Sequence, residues 1–245
     1  MVRHTRPTPI WSTLLCGVAL LSAAPAFSQV EIADDLTAPV DTATAGAGGT
    51  ASDVTITAAG SVILTTPGPA VTLNSDNDLI NNGTISIADV DDATGVLLEG
   101  GADRNFSSSG SISLTEDFSQ ENTDDDVFAD TPFAEGTGRT GILISGASPF
   151  EGNVTIEDTA TILVEGNESF GIDLSNTPLG AGLDGDLNLG GRLNIVGDNS
   201  AGVRVGSGIT GNLVNNSFVD IRGVNSGAFD IGADIGGGFS NASTI

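Results

Sequence analysis

Three short apolar segments recur in a fixed order along the chain, at intervals of about 25 to 27 residues. Each reads apolar-x-apolar and is bounded by Gly, Asn, Asp or Ser, which predicts a short strand between turns. The leading residues of the three series are Val54, Leu79, Phe106, Val154, Leu187, Leu213 and Phe239; Val62, Ile85, Ile112, Ile162, Leu193 and Val219; and Val71, Val96, Ile142, Ile172, Val203 and Phe229. Longer steps fall in the same turn of all three series, so they are insertions into one repeat.

Three strands of this length cannot bury an apolar face by themselves, but stacked coils give every strand a partner above and below. The repeat therefore predicts an all-β fold, a parallel β-helix with about 26 residues and three short strands per coil, and about six coils. We expect residues 52–245 to form this β-helix. Residues 29–51 show little periodicity and are predicted to lead into its first coil or to cap it.

Three asparagines occupy one position of the repeat, two residues after the leading apolar residue of a strand: Asn81, Asn215 and Asn241. Asparagine tolerates left-handed backbone geometry, and its amide can bond to an equivalent amide one coil away. We interpret them as a structural ladder at a corner of the β-helix, with ligand binding as the alternative.

Residues 1–28 are typical of a signal peptide. Arg3 and Arg6 precede a mostly apolar run over residues 10–24, and small residues then predict cleavage between Ser28 and Gln29. The run is short for a membrane span. A buried helix of the mature fold is the alternative interpretation.

Cleavage at this position would remove the only His, Cys, Trp and Met of the chain. Residues 29–245 then hold five arginines, no lysine and 32 acidic residues, a formal net charge of −27. Such a charge disfavours nucleic acid as a partner. Without imidazole, thiol or lysine, nucleophilic triads, Schiff bases and zinc sites are excluded.

The largest insertion, residues 115–139, is strongly acidic and predicts a solvated loop. Its run Asp124, Asp125 and Asp126 is a weak candidate for calcium, because carboxylate oxygens suit that ion. The run lacks the spacing of a calcium-binding loop, so a solubilising loop is the favoured interpretation. We therefore predict no cofactor beyond weak, non-specific Ca²⁺ binding.

Carboxylate chemistry is the one catalytic route that the composition leaves open, since two acidic groups can hydrolyse a glycoside. The candidate pairs are Asp91 and Asp92, Asp184 and Asp186, and Glu165 and Glu168, all in turn-like sequence. Arg204 and Arg222 lie at outward positions of predicted strands, where a lyase would need a base, but pairing with neighbouring carboxylates is the favoured interpretation. We predict that the chain is not an enzyme.

The signal peptide, the coil start NNGTISI, the second strands GILISG and AGVRVGSG and the acidic, His- and Cys-free composition resemble the N-terminal passenger region of bacterial autotransporters, with a pertactin-like β-helix. The resemblance covers about residues 50–245, and it implies that the parallel β-helix is right-handed. It implies export from a Gram-negative bacterium to the cell surface, the outer membrane or the medium. It also implies an outer-membrane β-barrel translocator, which this chain does not contain.

The resemblance further implies a non-catalytic passenger stalk, adhesive or structural, with a cell-surface or glycan ligand as its partner. Two alternatives stay open: a β-helical polysaccharide-active protein, either hydrolase or lyase, and a surface-layer-like structural protein. Because Ile245 matches Val219 as the start of a further coil, we expect the chain to be a fragment, truncated at its C-terminal end.

Overall fold

The computed structural model describes residues 29–101, 103–119, 130, 132–175 and 182–243. Within these ranges the chain forms 24 strands and no helix. The strands wind into a parallel β-helix with about 27 residues per coil. No helix among the described residues is long and apolar enough to cross a membrane.

Each coil contributes one strand to each of three faces. The first three coils hold β1 (Gln29–Ile32), β2 (Asp35–Leu36), β3 (Val40–Asp41), β4 (Asp53–Ile56), β5 (Ser61–Leu64), β6 (Gly68–Leu73), β7 (Leu79–Asn81), β8 (Thr84–Ala88) and β9 (Ala93–Glu99). The next two coils hold β10 (Phe106–Ser108), β11 (Ser111–Thr115), β12 (Thr140–Ser145), β13 (Phe150–Glu151), β14 (Val154–Ile156), β15 (Thr161–Glu165), β16 (Phe170–Asp173) and β17 (Leu183–Asp184). The remaining strands are β18 (Leu187–Leu189), β19 (Arg192–Val196), β20 (Ala201–Val205), β21 (Asn212–Asn215), β22 (Phe218–Arg222), β23 (Gly227–Ile231) and β24 (Gly238–Asn241).

The strands form three long parallel sheets and one short one. Sheet A is ordered β1-β4-β7-β10-β14-β18-β21-β24, sheet B β2-β5-β8-β11-β15-β19-β22 and sheet C β3-β6-β9-β12-β16-β20-β23, while β13 pairs with β17. Leu79 pairs with Val54 and Phe106, and the other leading residues pair in the same way. The predicted β-helix and the register of its repeat are therefore confirmed.

Residues 29–51 differ from the lead-in or cap that the sequence predicted. β1 pairs along its whole length with β4, and β2 and β3 pair with β5 and β6. These residues thus form a first coil, so the structure has about seven coils and not six. The coil is hard to see in the sequence because β2 and β3 are only two residues long and show no alternation.

The core is a set of stacked apolar columns that run along the inside of the three sheets. A fourth apolar column begins at the corner between sheets C and A in the later coils. It consists of Phe150, Leu183, Ile209 and Ile235, which pair from coil to coil. In the first coils the same corner is polar, with Thr42 bonded to Asn74 and Ser75. This corner therefore changes from polar in the first coils to apolar in the later ones.

Candidate functional site

Aspartate and asparagine side chains form hydrogen bonds between successive coils where the strands of sheet A begin. Each side-chain oxygen accepts the backbone N–H of the equivalent residue in the next coil, at 2.7 to 3.0 Å. The members of this Asx ladder are Asp53, Asp78, Asn105, Asn153, Asp186 and Asn212. The ladder was not predicted from the sequence, although its signal is visible there, since an Asp or Asn stands directly before each leading apolar residue from Val54 to Leu213.

A second ladder, made of serines, lies at the corner between sheets B and C. The backbone N–H of Arg139, Ser169 and Ser200 donates to the hydroxyl of the serine one coil on, Ser169, Ser200 and Ser226, at 3.0 Å in each case. The residue before each serine, such as Asn199 and Asn225, has a left-handed backbone with φ of 55° and 57°, which asparagine tolerates. The polar residues of this corner thus serve the turn and the stacking of coils.

The three predicted ladder asparagines lie in one column but do not form one ladder. Asn215 donates to Asn241 at 2.8 Å, whereas Asn81 donates to the hydroxyl of Ser108 at 3.1 Å. Between the two pairs the column holds Ile156 and Leu189, which break the chain of amides. Asn81 and Asn215 are fully buried, and each also accepts the backbone N–H two residues on, which closes the turn.

A buried ion pair closes the base of the acidic insertion. The Arg139 guanidinium contacts the Glu116 carboxylate at 3.1 Å, with the two side chains 3% and 7% exposed. Arg139 also donates to the carbonyl oxygens of Val90 and Glu165. Glu116 in turn accepts the backbone N–H of Glu135 and Gly136, at the far end of the insertion. The two ends of the insertion are therefore tied to each other and to the β-helix.

Several predicted residues lie outside the described residues, namely Ser28 and the calcium candidates Asp124, Asp125 and Asp126. Gln29 begins β1. Among the described residues, no group of three or more His, Cys, Asp or Glu side chains is arranged to hold a metal ion.

Each carboxylate pair considered for catalysis has at least one member that takes part in a contact between coils. Asp91 accepts the backbone N–H of Thr137, Asp184 accepts the hydroxyl of Thr210, and Asp186 belongs to the Asx ladder. Glu165 accepts the backbone N–H of Glu116 at 3.1 Å. These carboxylates thus satisfy donors of neighbouring coils, and this arrangement gives them a structural role.

Arg204 lies in a recess on the outer face of sheet C. Its guanidinium stacks 3.4 Å from the ring centroid of Phe170 and donates to both carboxylate oxygens of Asp173, at 2.7 and 3.0 Å. Asp173 is only 1% exposed. Cavities of about 440 and 300 Å³ flank the arginine, and both contact Phe170 and Asn199. The pairing of Arg204 with a carboxylate is as predicted.

Arg222 lies in a groove on the outer face of sheet B, which we call the sheet-B groove. One cavity of about 190 Å³ includes Leu163, Asn194 and Asp220, and an adjoining cavity of about 220 Å³ includes Phe118 and Phe133 from the insertion. Both cavities are lined by Glu165, Val196 and Arg222. Arg222 contacts Asp220 at 3.4 Å, and its side chain is 61% exposed, so this pairing is loose.

No protein-family model, no curated protein and no solved structure matches the chain. The assignment of function therefore depends on the fold and on the contacts described above.

Proposed function

We propose that the chain is a non-catalytic structural stalk, exported and displayed at the surface of a Gram-negative cell as the passenger of an autotransporter-like protein. The observation that carries the proposal is the use of its polar side chains. In the Asx ladder, from Asp53 to Asn212, one side-chain oxygen per coil accepts a backbone N–H of the next coil. Such side chains support a long stack of coils and leave few groups for chemistry.

The physical character of the chain suits export as an unfolded polymer. Residues 29–245 lack cysteine, so no disulfide can form before translocation. A β-helix can fold coil by coil, because each coil contacts only its neighbours. A formal charge of −27 keeps the unfolded chain soluble.

Surface display tests the export part of this proposal. The full chain would be fused ahead of an outer-membrane β-barrel translocator and produced in a Gram-negative host. We expect the β-helix to be cut by protease added to intact cells, and expect a version without residues 1–28 to stay protected inside. Protection of the full fusion in intact cells, with the barrel correctly inserted, would contradict the proposal.

A catalytic assay tests the second part of the proposal, that the stalk is non-catalytic. Purified residues 29–245 would be incubated with neutral and acidic polysaccharides, and new reducing ends and unsaturated products would be measured. We expect neither. Turnover that disappears in both Glu165→Gln and Asp184→Asn would instead favour the polysaccharide-active alternative.

A further inference from the structure

The corner between β7 and β8 contains the one Asn-Gly step of the chain, Asn82–Gly83. An asparagine before glycine deamidates readily, because glycine has no side chain to shield its nitrogen and permits the backbone geometry of the reaction. The glycine cannot be replaced here, since a Cβ atom at Gly83 would overlap the carbonyl oxygens of Thr57 and Gly60 in the preceding coil. The packing of the coils therefore keeps a chemically labile pair at this corner.

The deamidation of this pair needs no reactant other than water. The Gly83 nitrogen, after giving up its proton to water or hydroxide, attacks Cγ of Asn82; a C–N bond forms, and the side-chain nitrogen leaves as ammonia. Water then opens the resulting succinimide ring at one of its two carbonyl carbons and gives either aspartate or isoaspartate. In isoaspartate the main chain runs through the side-chain methylene, so the backbone is longer by one carbon.

The attacking nitrogen is held by a buried acceptor in the folded chain. The Gly83 N–H donates to Oδ1 of Asn81 at 3.2 Å, and both residues are buried. Asn81 is itself fixed, because its Nδ2 atom donates to the Ser108 hydroxyl at 3.1 Å. Removal of the Gly83 proton breaks the bond to Asn81 and requires a base to reach a buried nitrogen, so this step is costly in the folded state.

The group under attack is also held, through contacts with both neighbouring coils. The Asn82 N–H donates to the carbonyl oxygen of Ile56 at 2.8 Å, and the Gly83 carbonyl oxygen accepts the N–H of Ser111 at 2.8 Å. The Ser109 hydroxyl donates to Oδ1 of Asn82 at 2.7 Å. The attack requires rotation about the Cα–C bond of Asn82, which these contacts resist. The reaction therefore requires that the coil first opens.

We propose that Asn82 is a site of spontaneous deamidation that is reactive in the unfolded chain and protected in the folded one, with Asn81 as the protecting residue. A chain that has formed isoaspartate while unfolded carries an extra backbone carbon where Gly83 fits closely against the preceding coil, so it cannot close this coil in the same way. The proposal rests on this corner alone and does not depend on export.

Peptide mapping by mass spectrometry tests the proposal. Residues 29–245 would be incubated at mildly alkaline pH, one sample folded and one unfolded in urea, and aspartate and isoaspartate at position 82 would be measured over time. We expect deamidation in urea, and a rate at least about tenfold lower in the folded sample because only the opened coil reacts. Equal rates in the two samples, or no reaction at Asn82 in urea, would overturn the proposal.

Two matched variants separate local protection from general stability. In folded Asn81→Ala the Gly83 N–H loses its acceptor, so Asn82 should deamidate at least about tenfold faster than in the parent. Asn215→Ala removes the equivalent buried amide, whose Oδ1 atom also accepts the N–H two residues on, but it lies far from Asn82. Because coils contact only their neighbours, its rate at Asn82 should match that of the parent. Equal acceleration in both variants would refute the protecting role of Asn81.

A milder variant keeps the test valid if Asn81→Ala does not fold, which circular dichroism would show. Ser109→Ala removes only the hydroxyl that holds the exposed Asn82 side chain. We expect a smaller increase, of about two- to fivefold, in the deamidation rate of the folded chain. An unchanged rate in Ser109→Ala, beside an unfolded Asn81→Ala, would count against protection by these contacts.

Discussion

Two of the described arginines are buried in this β-helix, and their guanidinium groups differ in how many hydrogen-bond partners the protein provides. Arg139 is 3% exposed and meets the Glu116 carboxylate and two backbone carbonyl groups. Arg104 is 2% exposed, yet its Nε and Nη1 atoms have no hydrogen-bond partner. Its Nη2 atom reaches the carbonyl oxygen of Leu73 at 3.4 Å, and its guanidinium lies 5.0 Å from the ring centroid of Phe150.

The difference follows from the corner at which each arginine lies. Arg139 stands in the serine-ladder column, where carbonyl groups and the end of the insertion face it. Arg104 lies at the end of the fourth apolar column, over Phe150, and only its Nη2 atom reaches an acceptor. Burial lowers the pKa of Arg104, while the negative charges of Asp76, Glu99 and Glu151 raise it. A buried cation thus stabilises a coil only where the fold supplies its partners.

The largest effect is expected for Arg139→Met in residues 29–245. The change leaves the Glu116 carboxylate buried without its cation and releases the base of the insertion, which should cost about 3–5 kcal/mol of unfolding free energy. Urea unfolding followed by circular dichroism measures the loss. In the double variant Arg139→Met with Glu116→Gln, part of the loss should be recovered. A loss below about 1 kcal/mol in the single variant would show that this pair is no different from an exposed one.

A smaller effect is expected for Asn215→Ala, which removes a buried amide whose partners, like those of Arg139, are all provided by the fold. The N–H and hydroxyl of Ser217 and the amide of Asn241 each lose a partner. The expected cost is about 1–3 kcal/mol in the same urea experiment. Asn216→Ala, one residue along and exposed, is the matched control and should stay within about 0.5 kcal/mol of the parent. Equal effects of the two changes would contradict the role given to Asn215.

How much of this could be predicted from the sequence depends on whether a contact follows the repeat. The register of the strands was predictable, since alternation fixes which residues point inward and the repeat fixes which residues pair. The Asx ladder was predictable too, because Asp78 or Asn105 directly precedes a leading apolar residue. The partners of Arg139 were not, since Glu116 and Arg139 stand at the two ends of an insertion that does not follow the repeat, and nothing near Arg139 in the sequence indicates its burial.

The stabilisation by a repeated side-chain acceptor can also be tested at the surface, where Asn153→Ala removes one rung of the Asx ladder. Asn153 is exposed, and its Oδ1 atom accepts the backbone N–H of Asp186 at 3.0 Å. Water can replace this acceptor, so we expect a loss of only about 0.5–1.5 kcal/mol. Hydrogen exchange at the Asp186 amide should become faster, while exchange in the distant strand β5 should not change. Unchanged exchange at Asp186 would mean that the rung does not protect this amide.

The smallest effect, and the one whose sign decides the comparison, is expected for Arg104→Met. Methionine has a similar length, packs on Phe150 and brings no N–H donors that need partners. Because the cation lacks the hydrogen bonds that would offset its desolvation, its removal should leave the unfolding free energy within about 1 kcal/mol of the parent or raise it. The urea transition of Arg104→Met, measured beside that of Arg139→Met, gives the sign directly. A loss of about 3 kcal/mol or more would show that Arg104 is as well solvated by its surroundings as Arg139, through its contact with Phe150 and the three nearby carboxylates, and the contrast between the two corners would then fail.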